Sequence, residues 1–167
     1  MAVTMNMRRI VHALLVVSLL LAVVGCTRGQ MAQHGDYVYE ANPKILKPDE
    51  SSAVVYFMRD SPVIGGANYF ILEDNERIGL LKSGTYFIHR TAPGKHIYWI
   101  DLGDEHVAVK LDIQAGQTYY VEHVYSYTFA LSEISKVIAD KMLPKLKYIR
   151  PSTEEDAAQI RAKEAGQ

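Results

Sequence analysis

The sequence predicts a mainly-β chain: an antiparallel β-sandwich with one or two short C-terminal helices. Three observations predict it. From Ala53 to about Tyr125 the apolar residues recur with a period of two. Turn-forming residues cut that stretch into about seven short runs, and beyond Phe129 the period lengthens to three and four. About seven strands in roughly 75 residues is the spacing of a sandwich, or an open barrel, of immunoglobulin or transthyretin-like size.

The run Ala53-Val54-Val55-Tyr56-Phe57-Met58 is β-branched and aromatic and is closed by Arg59-Asp60-Ser61-Pro62. Tyr69 to Leu72 and Arg77 to Leu81 flank Glu73-Asp74-Asn75-Glu76, a hairpin signal. Thr85 to Arg90 and Lys95 to Leu102 flank Thr91-Ala92-Pro93-Gly94, which predicts a second hairpin. In His106 to Ile113, Val107, Val109, Leu111 and Ile113 share one face and His106, Ala108, Lys110 and Asp112 the other. One buried and one wet face is the signature of antiparallel sheet. Ala115-Gly116-Gln117 then turns into Thr118 to Tyr125.

Beyond Phe129, Leu131, Ile134, Ile138 and Met142 fall on one helical stripe, with Ser132 as the expected cap and Pro144 as the stop. Lys145 to Arg150 reads as a last strand. Thr153-Glu154-Glu155-Asp156 opens a C-terminal helix with a capping acid three residues on, and Gly166 follows Lys163 at its end.

Ahead of the sandwich stands a secretory leader: Arg8 and Arg9, an apolar run from Ile10 to Val24, then small residues. His12 and Ser18 interrupt the run, and it falls short of the about 20 apolar residues of a membrane span, so it is expected to be removed. Cys26 is the single cysteine of the chain. Cleavage before it takes Arg8 and Arg9 away and moves the formal net charge from -1 to -3, which is no nucleic-acid footprint. Residues 26–50 read as the start of the mature chain and a tether interrupted by Pro43 and Pro48, although Tyr37 to Tyr39 can equally pair as an edge strand. Residues 51–150 then form the sandwich, with a helical segment near 131–143, and 151–167 the terminal helix and tail.

Val23-Val24-Gly25-Cys26 resembles the lipobox of bacterial lipoprotein signal peptides. That resemblance implies a lipid on Cys26, with no cysteine left over for a disulfide. Each buried methylene contributes about 0.8 kcal/mol, so one chain is a marginal anchor and several chains on one residue are a firm one. Thr27 stands where such proteins carry an aspartate as an inner-membrane retention signal, which implies the outer membrane, facing the periplasm. Farther on, Val55-Tyr56-Phe57-x-Arg59, Gly65, Ile78-Gly79, Gly84-Thr85-Tyr86, Pro93-Gly94-Lys95-His96 and Ala115-Gly116-Gln117-Thr118-Tyr119-Tyr120-Val121 occur in that order. Together they resemble a family of uncharacterised bacterial lipoproteins grouped under a domain of unknown function. The likeness spans about Ser51 to Val124, against which 126–144 looks like an insertion. It implies no catalytic residues.

Candidate chemistry comes from three groups. A four-residue turn at Thr91 to Gly94 would set His89 opposite His96 as a two-imidazole metal site, but it would also oppose Arg90 to Lys95, and no third ligand is identifiable. Exposed polar strand residues are the favoured reading, and no cofactor is expected. The alternating row Tyr119, Val121, His123, Tyr125, Tyr127 and Phe129 could present rings to sugars, with Tyr119, Tyr125 and Tyr127 as the binding residues; core duty explains the same row. Ile134, Ile138 and Met142 could dock another envelope protein, or could cover their own core.

No Gly-x-Ser-x-Gly elbow, phosphate loop, dinucleotide fingerprint or His-Glu-x-x-His helix occurs, and Asp101, Asp104 and Glu105 read as solvated loop carboxylates. The expectation is a lipid-anchored, non-catalytic binding or scaffolding protein of the cell envelope. A glycan-, peptidoglycan- or metal-binding module is the alternative, with a hydrolase behind it.

Overall fold

The computed structural model describes residues 37–60, 67–102, 106–125 and 129–165. The leader, Cys26, Gly65, Asp104, Glu105, Tyr127 and Gly166 lie outside the described residues. Ten strands run in chain order: β1 (Tyr37–Glu40), β2 (Ala53–Arg59), β3 (Tyr69–Glu73), β4 (Glu76–Leu81), β5 (Thr85–Thr91), β6 (Gly94–Asp101), β7 (His106–Ile113), β8 (Thr118–Tyr125), β9 (Phe129–Glu133) and β10 (Lys147–Pro151). Helix α1 (Lys136–Met142) and a 3-10 turn (Leu143–Lys145) precede β10, and α2 (Glu154–Ala165) follows it.

These strands build two sheets, one of six in the order β1-β10-β5-β2-β8-β9 and one of four in the order β4-β3-β6-β7. The fold class is the predicted one: mainly β, two sheets, two short helices toward the C-terminus. Two neighbours in the larger sheet are nevertheless parallel, β2 with β8 and β5 with β10. A period of two reports which face of a strand is buried and carries no information about the direction of its neighbour.

The β3–β4 hairpin is as read, with Asp74 and Asn75 both at positive φ, the two-residue turn that matches strand twist. The second predicted hairpin does not form. β5 pairs with β2 and β10, β6 pairs with β3 and β7, and Ala92-Pro93 carries the chain from one sheet to the other. Tyr37–Glu40 takes the edge-strand alternative, antiparallel to β10. Arg150 holds that edge to the terminal helix, donating from Nε to Glu40 and from Nη1 to Asp156. Asp156 also accepts from the Thr153 backbone N–H and hydroxyl while its own N–H donates to Thr153 Oγ1, the predicted capping box.

The core between the sheets is Val55, Phe57, Ile71, Leu81, Phe87, Ile100, Leu111, Ile113 and Val121, all buried. Phe57 stacks on Phe87 at 5.0 Å and meets Tyr98 edge-on at the same separation. Gly79 of β4 lies directly on the Phe87 ring, and a Cβ there would overlap it, so the sheets close to this distance only because the residue is glycine.

Candidate functional site

Three places carry polar or aromatic chemistry, one at each end of the sandwich and one on its outer face. At the first end, Glu73 closes β3, while His89 on β5 and His96 on β6 reach it from either side. His89 Nε2 is hydrogen-bonded to Glu73 Oε2 at 3.1 Å, His96 Nδ1 to Glu73 Oε1, and His96 Nε2 lies 3.0 Å from the Ala92 carbonyl oxygen. The two histidines therefore converge, though not as neighbours across a hairpin: β5 and β6 lie in different sheets, and a carboxylate takes the position a metal was considered for. Among the described residues, no group of three or more His, Cys, Asp or Glu side chains is arranged to hold a metal ion.

Tyr98, fully buried, stacks on His96 at 5.9 Å and meets His89 edge-on at 6.2 Å. Burial, then the charge of Glu73, pushes its phenol well above the ordinary range. Burial likewise lowers His89, partly offset by Glu73. With His89 and His96 both held on the Glu73 carboxylate, the cluster ties β3, β5 and β6 together across the gap between the sheets. Glu73 was read from the sequence as a hairpin residue only, because its partners lie 16 and 23 positions away.

The outer face of the six-stranded sheet carries an unbroken row of tyrosines across four adjacent strands. Tyr148 (β10) meets Tyr86 (β5) at 5.4 Å, Tyr86 meets Tyr56 (β2) at 6.2 Å, and Tyr56 meets Tyr120 (β8) at 5.3 Å. All four are half-buried, and burial is the largest cause raising each phenol, opposed at Tyr120 by Lys136 and at Tyr148 by Arg150. Helix α1 covers part of this face, with Ala139 and Met142 packed on Met58 and Leu146 beside Tyr86 and Tyr120. Next to it opens a cavity of about 340 Å³ walled by Tyr39, Glu40, Pro43, Tyr86, Lys147 and Tyr148. Tyr39 is 56% exposed, and the ammonium groups of Lys82 and Lys147 lie 5.5 and 5.7 Å from its ring centre.

The expected aromatic row is differently placed. The odd positions of β8 face the core: Val121 and His123 are buried, and Tyr119 donates its hydroxyl to the Asp112 carbonyl and accepts from the Gln114 N–H. Tyr125 ends β8 and Phe129 begins antiparallel β9, so Tyr119 to Phe129 is not one strand, and Tyr127 lies outside the described residues. It is the even residue Tyr120, together with tyrosines from three other strands, that presents rings outward. Their common face follows from the pairing of distant strands, which no single strand's sequence records.

The helical stripe divides as well. Leu131 is a buried strand residue in β9, Ser135 rather than Ser132 occupies the cap position, and the helix is two turns long. Met142 is buried and Ile134 packs against the same cluster, whereas Ile138 is 46% and Val137 66% exposed.

At the opposite end from Glu73, Arg59 and His123 point into the sandwich from adjacent strands, each 1% exposed. Arg59 Nη1 donates to the Ala67 carbonyl at 2.7 Å, and its guanidinium lies 4.8 Å from the Tyr69 ring centre. Among the described residues, Arg59 Nε and both ring nitrogens of His123 have no hydrogen-bond partner. Leaving a buried imidazole unsatisfied costs about 1–3 kcal/mol and burying an unpaired cation costs several kcal/mol, whereas stacking on Tyr69 returns roughly 1–2 kcal/mol.

Comparison with protein-family models, with curated proteins and with solved structures finds no match for this chain. Among the described residues, no helix is long and apolar enough to cross a membrane.

Proposed function

We propose that this chain is a lipid-anchored cell-envelope protein with a non-catalytic binding or scaffolding role, acting through a cavity at the β1–β10 edge of its six-stranded sheet. The anchor is Cys26, at the end of the apolar leader, and the lipoprotein-family resemblance of the residue pattern supports the same placement, at the outer membrane facing the periplasm. The observation that carries the binding role is the cavity walled by Tyr39, Tyr86 and Tyr148. Its volume of about 340 Å³ falls in the range of small-ligand sites, and rings with a few polar groups at the rim are what a sugar stacks on. This favours a glycan, such as a peptidoglycan strand, as the ligand, with Glu40 and Lys147 answering its hydroxyl, amide and charged groups.

The test is sedimentation of the lipidated protein with purified peptidoglycan. Tyr148→Ala and Tyr39→Ala are expected to lower retention tenfold or more, each ring contributing about 1.5 kcal/mol of contact. Equal retention of wild type and variants overturns the cavity as the site. Mass spectrometry of the mature protein that finds Cys26 unmodified overturns the anchor.

A second reading rests on the exposed Val137 and Ile138 of α1, which offer a small apolar contact to another envelope protein. Crosslinking in intact cells from position 138 separates the two, since a protein adduct favours docking and wall fragments favour the glycan.

A further inference from the structure

The Arg59 end of the sandwich carries chemistry that neither the outer face nor the anchor uses. Arg59 is the last residue of β2, and Tyr69 and Phe129 are the first of β3 and β9, so the three meet at one end of the strands. Tyr69 touches both buried groups, the guanidinium at 4.8 Å and the His123 ring at 5.2 Å, and Phe129 stands beside both rings, 6.1 Å from His123 and 5.9 Å from Tyr69. Among the described residues no carboxylate pairs with Arg59, and the Ala67 carbonyl takes only Nη1. A buried guanidinium is ordinarily held by a carboxylate or phosphate accepting from its fork of N–H donors. Here the donors are in place, aromatic rings stand beside them, and among the described residues no side chain supplies the anion.

We propose that Arg59, His123 and Tyr69 form a buried binding site for a single anionic oxygen group, a carboxylate or a phosphate, that accepts from Arg59 Nε–H and from an N–H of His123. Two separate observations among the described residues point to it: the unpartnered Nε of a 1% exposed arginine, and a 1% exposed histidine on the next strand with neither nitrogen bonded. A neutral acceptor such as water would answer the hydrogen bonds but leave the positive charge uncompensated in a low-dielectric setting. An anion answers both. Tyr69 is the half-buried member of the trio. Burial, then the Arg59 charge, holds His123 down at about 4, and a bound anion cancels the second of these causes.

The experiment uses the full chain in detergent micelles at pH 7, with phosphate or acetate replacing chloride at constant ionic strength. Thermal unfolding is followed together with the imidazole 15N resonances of His123. The expected result is a saturable rise of the midpoint, on the order of 5 °C at a hundredfold excess over Kd, and a shift of the His123 signals. A response to phosphate alone assigns a phosphoryl ligand, and a response to acetate assigns a carboxylate. Arg59→Met should lose the response and, freed of an unpaired buried charge, unfold at a higher temperature than wild type in chloride. The site is overturned if neither anion moves the wild-type midpoint or the His123 resonances, or if Arg59→Met responds as wild type does. Should Arg59→Met fail to fold, the His123 resonances of the wild-type protein decide alone.

Discussion

Arg59, His123 and Glu73 show how buried polar residues acquire roles that their immediate sequence does not announce. His123 sits in an alternating strand and is buried as its position requires, but its imidazole is held at about 4 by burial and by Arg59. Because the folded protein prefers the neutral ring, stability is complete above the ordinary histidine pKa. It then falls as pH drops through the window from about 6.5 to about 4, where the unfolded chain binds the proton and the folded chain does not. The expected loss from His123 is about 3 kcal/mol across that window, with His89, also lowered, adding in the same direction. Urea unfolding at pH 7 and pH 4 measures it. His123→Leu should flatten the dependence by about one proton, and an unchanged slope would mean that the ring is not held neutral.

Among the elements, β4 and α1 carry the clearest consequences. Gly79 lets β4 lie on Phe87, so Gly79→Ala is expected to destabilise the fold by about 1–3 kcal/mol through overpacking. Phe87→Leu should recover part of that loss in the double variant, a non-additivity read from denaturation midpoints. Helix α1 is short and stays in place through the residues it buries. Met142→Ala should cost about 2 kcal/mol or more, whereas Ile138→Asp, on the exposed side, should stay within about 0.5 kcal/mol. If Ile138→Asp unfolds the protein in thermal melts, the exposed edge of α1 is core and the docking reading fails.

The helix boundary differs because Leu131 stands two residues from Phe129, a strand spacing, and three from Ile134, a helical one, and the pairing of β9 with β8 decides between them.

For the whole molecule, the sequence by itself determined what depends on neighbours along the chain. The strands β2 to β8, the β3–β4 turn at Asp74-Asn75, the capping box at Thr153 and the two-sheet class all follow from local periodicity, backbone preference and turn chemistry. The polar ends of the sandwich were visible only as scattered residues: His89 and His96 were singled out, Glu73 was taken for a turn, and Arg59 for the close of a strand. The tyrosine row was missed because its members come from β10, β5, β2 and β8, up to 92 positions apart between Tyr56 and Tyr148. Only the tertiary structure decided that β5 and β6 part into different sheets at Ala92-Pro93, that β2 runs parallel to β8, and that one carboxylate would receive both histidines. The physical reason is range. A residue's burial and backbone preference are set within a few positions of it, whereas its partner across the core is chosen by the free energy of the entire packed arrangement.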